Sequence, residues 1–377
     1  MKNEIDKIQV KNLIGTLDTA NISGGEINSN RMATKTIVVT GAAGQIGYSL
    51  LPMIASGEVF GPNTTINLRL LEIPQGLQML EGVKMELLDC AYDTLNEIVC
   101  TTDPLVAFKD ADVAFLVGGF PRRPGMVRKD LIQINTKIFL SMGKAIEAVA
   151  ATNIKVLVVA NPANTNALVT LKQCSRVPAK NFCAMTRLDY NRASAQVAIK
   201  LNTSVKNIKN VIIWGNHSAT QYPDPITDGY VVAEDGSSST LASALAGDEE
   251  WLREDFLTTV QQRGKSVMEA RGKSSALSAA NAAADCVRTW LVTGTKEGET
   301  VAMAVYNDEG YYGVEKDIMF SFPCICKDGD WIVKKDLEIN DFGKEKIKTS
   351  EIELLEERAA AMEILEGGDK DGEGSKK

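Results

Sequence analysis

The segment that decides the fold is residues 36–47, which read TIVVTGAAGQIG. Its β-branched first half predicts a strand, and its glycines, spaced Gly-x-x-Gly-x-x-Gly, predict a tight turn before an apolar helix begins. Because glycine has no Cβ, a pyrophosphate can approach the backbone N–H groups at the positive end of that helix. Three glycines alone are weak evidence, since turns after strands are often glycine-rich for steric reasons. The candidate cofactor contacts of this turn are Gly41, Gly44, Gln45, Ile46 and Gly47.

A second predicted strand, residues 66–71, ends in Glu72. An acidic side chain at the end of the second strand accepts hydrogen bonds from both ribose hydroxyls of an adenosine. The same charge repels a 2′-phosphate, and no basic pair follows Glu72 to receive one. The pattern therefore favours NAD over NADP, against the alternative that Glu72 is an ordinary charge at a strand end.

Positive charge is concentrated in residues 118–131, GGFPRRPGMVRKDL, which follow the buried-strand pattern of residues 113–117. Four cations fall within eight residues, between prolines and glycines, which predicts a mobile basic loop. Doubly wound sheets bind ligands at the carboxyl ends of their strands, where this loop would lie. A solvated cationic loop without a ligand is the alternative interpretation.

The chain contains a single histidine, His217. Imidazole is the side chain best suited to proton transfer near neutral pH, although a lone histidine is often a buried structural residue. Asp189 and Arg192 are three residues apart at a predicted helix start, so they project from neighbouring positions on one face. A carboxylate orients an imidazole and a guanidinium grips a carboxylate, but such a pair is also commonly an intrahelical ion pair.

Taken together, these segments resemble the malate dehydrogenases, and specifically their cytosolic branch. The likeness runs from about Thr36 to about Leu365. The motifs that carry it are residues 41–47, 121–126, 161–166, 187–192, 214–223, 259–264, 274–280, 312–314 and 320–323.

The resemblance implies a role for each charged candidate. His217 would take the hydroxyl proton of malate and Asp189 would orient its ring. Arg192 would bind the carboxylate next to the reacting carbon, and Arg128 would polarise the carbonyl. Arg122 would meet the distal carboxylate and so favour malate and oxaloacetate over lactate and pyruvate, because related lactate dehydrogenases carry an uncharged residue there.

Two asparagines complete the implied site. Asn161 resembles the family residue that contacts substrate near the nicotinamide, although an asparagine in a turn needs no function. Asn135 occupies a family position that contacts the cofactor.

The resemblance also implies the architecture: an α/β chain with a Rossmann doubly wound parallel sheet, followed by an α+β substrate domain. We predict the NAD-binding domain at residues 35–186 and the substrate domain at 187–366, with a twisted antiparallel region around Trp331 and Val333. Residues 1–34 would be a disordered extension and 367–377 a disordered tail. The cytosolic branch forms homodimers, so a homodimer is expected, with NAD as cofactor and no metal.

The amino-acid composition agrees with an α/β enzyme of two domains. With 44% hydrophobic residues, the chain has enough apolar side chains to form two hydrophobic cores. Its net charge of -8 argues against a nucleic-acid partner. Seven cysteines without a CxxC pair, and one histidine, exclude the common zinc patterns and indicate free thiols in the cytoplasm. No apolar run reaches membrane-spanning length, and the acidic residues of the extension are atypical of a transit peptide.

Alternatives of three kinds are weighed. A related 2-hydroxyacid dehydrogenase of the lactate type, or an NADP-preferring malate dehydrogenase, stays open. Extended short-chain reductases share the glycine spacing and use a Tyr-x-x-x-Lys pair, which Tyr312 and Lys316 match, but too late in the chain and in a turn. A non-catalytic nucleotide sensor would not need His217, Asp189 and three arginines together.

Overall fold

The β-branched run before the glycine turn forms the first strand, and helices alternate with the strands that follow. A computed structural model of the chain describes residues 33–121, 126 and 128–368, with the side chains of residues 128, 367 and 368 outside that description. The strands of the first half are β1 (Ala33–Thr40), β2 (Thr64–Leu71), β3 (Leu95–Thr101), β4 (Val113–Leu116), β5 (Lys155–Val158) and β6 (Phe182–Ala184). The helices between and after them are α1 (Gln45–Ala55), α2 (Leu77–Asp89), α3 (Pro104–Phe108), α4 (Arg128–Val149), α5 (Ala163–Lys172) and α6 (Arg187–Lys200).

These strands pair in parallel in the order β6-β5-β4-β1-β2-β3. Apolar side chains from both faces of the sheet are buried: Ile37 and Val39 in one cluster, Val38 and Leu116 in the other. Helices covering both faces explain why the central strands read as continuous apolar runs. The strand order reverses between β1 and β4, so a crevice opens where their carboxyl ends diverge. The predicted doubly wound parallel sheet is confirmed.

The second half adds short strands, helices and a continuation of the same sheet. Its strands are β7 (Ile208–Lys209), β8 (Ile212–Trp214), β9 (Tyr222–Asp224), β10 (Tyr230–Val232), β11 (Ser238–Thr240), β12 (Val301–Tyr306), β13 (Met319–Lys327) and β14 (Asp330–Val333). Its helices are α7 (Leu241–Ala244), α8 (Glu249–Arg253), α9 (Asp255–Arg271), α10 (Leu277–Arg288) and α11 (Asp341–Gly368). Among the described residues, no helix is both long and apolar enough to cross a membrane.

The antiparallel region predicted around Trp331 and Val333 is strand β14, at one edge of a nine-stranded sheet. Strand β12 pairs antiparallel with β6 through Ala304 and Ala184, so β12, β13 and β14 extend the sheet of the first half. One sheet therefore runs through both halves of the chain.

The predicted ends of the ordered region need correction by two residues on each side. Strand β1 begins at Ala33 and not at residue 35, because β2 starts at Thr64 and pairs with it from there. Helix α11 continues to Gly368, into the predicted tail that began at residue 367, because Leu365 still packs against the second core cluster. The rest of the predicted extension and tail, residues 1–32 and 369–377, lies outside the described residues.

Candidate functional site

The glycine turn lies at the switch point of the sheet and leaves no room for side chains. A Cβ on Gly41, which has φ +62°, would lie 2.5 Å from the Cα of Gly118, in the loop after β4. A Cβ on Gly47 would lie 2.6 Å from the carbonyl oxygens of Gly41 and Ala42. Among the described residues, no side chain caps helix α1, which begins after Gly44, so its first N–H groups have no capping partner. The turn therefore has the form of an anion-binding site at a helix N-terminus.

Glu72 lies beside this turn, directly after β2. Its Oε1 accepts a hydrogen bond of 3.1 Å from the N–H of Ala43, and its Oε2 accepts one of 3.0 Å from the N–H of Ile73. Each carboxylate oxygen can accept a further bond, so the side chain remains able to bind hydroxyl groups. The structure thus brings Glu72 to the glycine turn, as the sequence predicted, while its contact with a ribose stays a prediction.

His217 and Asp189 form a hydrogen-bonded pair in the second half of the chain. The ring atom Nδ1 of His217 contacts Oδ2 of Asp189, which is fully buried near the start of α6. The ring itself is 13% exposed, and it lines a cavity of about 500 Å³. Because Asp189 engages Nδ1, Nε2 is the ring nitrogen left to exchange a proton with a ligand.

The charge of Asp189 is maintained despite its burial. Burial raises the pKa of this carboxyl, but the charge and hydrogen bond of His217, the charge of Arg192 and a hydrogen bond from Gln221 together lower the pKa below its usual value. Asp189 therefore remains an anion at neutral pH.

Arg192 places a second functional group in the same cavity. Its NH1 lies 3.4 Å from Oδ1 of Asp189, and its NH2 donates a hydrogen bond of 3.2 Å to Oγ of Ser275. Burial lowers the pKa of this guanidinium, and the charge of Asp189 acts against that effect. A guanidinium held at two points and largely removed from water is suited to bind a carboxylate with two parallel hydrogen bonds.

The cavity lies next to the start of α1, the helix that follows the glycine turn. Its lining includes Ile46 from α1, Arg192 and His217, together with Gly264 and Met268 from α9. Side chains predicted from three separate motifs, Ile46, Arg192 and His217, thus line one cleft.

Asn161 and Asn135, the two predicted asparagines, have different positions. Asn161 is exposed and lines the cavity, where a substrate could reach its amide. Asn135 is fully buried, and its side chain bonds the N–H and the carbonyl of Phe120 and the carbonyl of Asn161. It fixes the loops after β4 and β5, and a direct cofactor contact by Asn135 stays a prediction.

A buried asparagine that sequence reasoning did not single out supports the histidine. Oδ1 of Asn164 accepts a bond of 3.0 Å from the N–H of His217, and its amide donates to the carbonyls of Gly215 and Met319. The sequence signal that could have identified Asn164 is its place in the motif at residues 161–166. Asn164 therefore joins α5 to the loop that carries the catalytic ring.

The C-terminal helix also holds this loop. The amide of Asn216 donates to Glu353 and Glu357 of α11, each at 2.9 Å, and Ser218 and Thr220 donate to Glu353. Nothing in the local sequence links residues more than a hundred positions apart, so these anchors were not predicted. The His217 loop is thus fixed from both α5 and α11.

The side chains of the two remaining predicted arginines lie outside the description. Arg122 lies outside the described residues, as does the rest of the basic loop at residues 123–125 and 127. Arg128 is the first residue of α4, but its side chain lies outside the description. Their roles stay predictions.

Comparison with known proteins gives matches over most of the chain. The family model described as lactate/malate dehydrogenase, NAD binding domain, matches residues 35–183. The model for the lactate/malate dehydrogenase alpha/beta C-terminal domain matches residues 186–364.

Individual relatives agree with the family models. The chain is 50% identical over 330 residues to a cytoplasmic malate dehydrogenase of Homo sapiens, which covers 87% of this chain and 97% of the relative. It is 49% identical over 331 residues to that of Beta vulgaris, with 87% and 98% covered. Among solved structures, a malate dehydrogenase of Naegleria fowleri superposes with a TM-score of 0.82 at 43% identity, covering 88% of this chain and 98% of the other. A Trichomonas vaginalis lactate dehydrogenase in complex with NADH and oxamate gives 0.84 at 38% identity, with 88% and 99% covered.

Proposed function

The chain belongs to the lactate/malate dehydrogenase family, and from that premise we propose how its cleft carries out NAD-dependent oxidation of malate. The enzyme transfers hydride reversibly between malate and NAD, giving oxaloacetate and NADH. One observation supports the residue assignment above all: the ring of His217, bonded to buried Asp189, lines the same cavity as Arg192 and the helix that follows the glycine turn.

The first half of the cleft fits NAD. The turn at Gly41 and Gly47 packs closely against neighbouring backbone because neither residue has a Cβ, and Glu72 lies beside it with acceptor capacity for ribose hydroxyls. A pyrophosphate would bind the backbone N–H groups at the start of α1. We assign Gly41, Gly44, Gln45, Ile46, Gly47 and Glu72 to cofactor binding. When bound, NAD supplies the acceptor for the hydride that leaves C2 of malate.

The second half of the cleft moves the proton. Neutral His217 accepts the hydroxyl proton of malate at Nε2, and Asp189 stabilises the imidazolium that results. In the reverse direction the protonated ring donates its proton to the carbonyl oxygen of oxaloacetate. Asp189 acts without being protonated itself, since its pKa is lowered in this site.

The arginines are proposed to bind the two carboxylates. Arg192 would hold the carboxylate beside C2, at a position from which its hydroxyl faces His217. Arg122 would bind the distal carboxylate, and Arg128 would polarise the carbonyl of oxaloacetate. Asn161 would contribute a hydrogen bond from its amide.

A lactate-type preference is the second candidate, favoured by the close superposition on a lactate dehydrogenase. The shared fold does not decide between the two substrates, and we propose that Arg122 does. Pyruvate would leave its guanidinium without a partner in the closed site, at a cost of several kcal/mol.

The proposal is tested by following NADH and NADPH oxidation with oxaloacetate and with pyruvate, in the wild type and in His217→Gln. We expect NADH with oxaloacetate to be the fastest pair and His217→Gln to lose most of its turnover. Activity retained in His217→Gln would refute the residue assignment, and a faster reaction with pyruvate would refute the substrate.

The compartment and the oligomeric state are inferred from the relatives. The relatives of Homo sapiens and Beta vulgaris are named cytoplasmic malate dehydrogenases, and this supports the cytoplasm as the compartment of this chain. We further propose a homodimer, for which apolar side chains exposed on α1 and α2 offer a surface: Tyr48, Leu77, Met85 and Leu88.

A further inference from the structure

Gln221 has a buried side chain that contacts Asp189 of the Asp189–His217 pair. It is 2% exposed and comes directly before β9, four residues after His217. Its Nε2 donates a hydrogen bond of 3.1 Å to Oδ1 of Asp189 and another of 3.0 Å to the carbonyl of Ser218. The same amide group therefore contacts both Asp189 and the loop that carries His217.

The orientation of this amide is determined by its neighbours. An ionised carboxylate and a peptide carbonyl only accept hydrogen bonds, so the amide nitrogen of Gln221 must face them. Its Oε1 then points away and has no hydrogen-bond partner among the described residues, although the atom is buried. A buried acceptor without a partner is unfavourable for folding, which indicates that this glutamine serves a purpose other than stability.

A second glutamine fixes Gln221 in turn. Nε2 of Gln261, on α9, donates a hydrogen bond of 2.7 Å to the main-chain carbonyl of Gln221. Helix α9 also supplies Gly264 and Met268 to the wall of the cleft. The helix that lines the substrate cavity is thereby connected to the position of Asp189.

We infer that Gln221 is the positioning residue of the Asp189–His217 pair: it fixes the rotation of the Asp189 carboxylate and shares its charge. The inference rests on the proposed function of that pair. Oδ2 of Asp189 contacts the imidazole, while Oδ1 is shared between Gln221 and Arg192. Without Gln221, the longer 3.4 Å contact of Arg192 would be the remaining restraint on Oδ1 among the described residues.

Loss of the amide donor has two consequences. The carboxylate can rotate, so the ring of His217 is held in its reactive orientation for less of the time and kcat falls. The carboxylate also carries more unshared charge, which stabilises the protonated form of His217. Malate oxidation requires the neutral ring, so its acidic limb should move to higher pH.

The test is Gln221→Met, which keeps the length of the side chain and removes the amide. We expect kcat for malate oxidation to fall roughly tenfold with little change in the KM for NAD. We expect the midpoint of the acidic limb of kcat against pH to rise by about half a unit to one unit. A purely structural role would lower stability or activity without moving that midpoint.

Two variants keep the test decisive. Gln261→Met should shift the midpoint of the acidic limb in the same direction but by a smaller amount. This variant provides the test if Gln221→Met does not fold. Gln262→Met makes the same change at an exposed neighbouring position and should match the wild type. If Gln221→Met folds and the midpoint of its acidic limb does not move, the inference about Gln221 is overturned. If Gln221→Met does not fold, an unmoved midpoint in Gln261→Met overturns it instead. Activity retained in His217→Gln would instead overturn the proposed function.

Discussion

At the level of single side chains, the proposed proton transfer by His217 depends on the hydrogen bond between its ring and Asp189. In Asp189→Asn the buried side chain is neutral, so it no longer stabilises an imidazolium or selects the ring tautomer that leaves Nε2 free to accept. We expect kcat for malate oxidation to fall by roughly 10³- to 10⁴-fold, measured as the initial rate of NADH formation. Asp285→Asn is a suitable control, because Asp285 pairs with Arg288 on α10 and does not line the cleft. A tenfold loss or less in Asp189→Asn would contradict the assigned role.

Substrate choice is proposed to depend on a different side chain, Arg122. Replacing it by glutamine removes the charge that would bind the distal carboxylate of oxaloacetate. We expect kcat/KM for oxaloacetate to fall by about 10²-fold or more, and the ratio of pyruvate to oxaloacetate turnover to rise. Arg123→Gln changes the adjacent cation and should leave the ratio near that of the wild type. Unchanged selectivity in Arg122→Gln would remove this residue from the substrate site.

Cofactor choice is predicted to depend on Glu72. Glu72→Gln removes the negative charge but keeps an oxygen that can accept from the N–H of Ala43, so the glycine turn should retain its shape. We expect the preference for NADH over NADPH to decrease by about tenfold or more, because a 2′-phosphate is no longer repelled. Steady-state kinetics with both cofactors measures the change. Glu97→Gln, at an exposed carboxylate on β3, is the matched control.

At the scale of elements, the glycine turn combines a left-handed backbone with a close approach of two loops. Gly41 and Gly61 both have positive φ, at +62° and +87°, but only Gly41 has another backbone within 4 Å of a built Cβ. Gly61→Ala should therefore destabilise the fold by about 1 kcal/mol through backbone strain alone. Gly41→Ala should cost about 1–3 kcal/mol more, because the loops at Gly41 and Gly118 must separate. Urea unfolding midpoints measure this difference, and NADH titration should show weaker binding for Gly41→Ala only. Equal behaviour of the two variants would mean that the close approach is unimportant.

Much of this architecture was predictable because its signals are local. The strand, turn and helix at residues 36–47, and the helix that begins at Arg187 with Asp189 and Arg192 on one face, follow from spacing and residue type. Tyr312 and Lys316 match the Tyr-x-x-x-Lys string of the short-chain reductases, but Tyr312 does not lie on a helix of the nucleotide domain. Tyr312 lies in a short 3₁₀ turn and packs against Trp214, with ring centroids 4.9 Å apart.

The supports of the catalytic ring were not predictable in the same way. Asn164, Gln221 and Glu353 act on the His217 region from α5, from the start of β9 and from α11. Spacing along the chain carries no information about contacts between such distant segments. The fold brings them together through tertiary packing, and only the polarity of residues that turn out to be buried hints at their role.

For the whole molecule, the continuous sheet explains how one cleft receives groups from both halves. Strand β12 pairs with β6, so the second half is attached to the edge of the parallel sheet, and its bridge from Ser321 to Gly215 lies next to the His217 loop. The His217 loop follows β8, which pairs with β9 in a separate two-stranded sheet and is joined to the large sheet through that bridge. This arrangement supports cofactor binding and proton transfer at a fixed separation.

At the scale of the whole molecule, we also propose that the protein forms a homodimer. Helices α1 and α2 present a groove of about 310 Å³, lined by Leu51, Pro52, Val83 and Leu87 among others. On α2, Met85 is 63% exposed and Leu88 is 59% exposed. Neighbouring apolar side chains left in water at this density are typical of a surface that packs against a second copy.

The double variant Met85→Asp, Leu88→Asp tests this surface. Two carboxylates on each copy would have to be buried against apolar groups and against each other, which costs several kcal/mol and should shift the equilibrium towards monomers. Light scattering after gel filtration should give roughly twice 40.8 kDa for the wild type and about 40.8 kDa for the variant. Ile332→Asp, at a 64% exposed position on edge strand β14, should remain a dimer. A wild-type monomer would refute the dimer itself, whereas a variant that still dimerises would place the interface on another face.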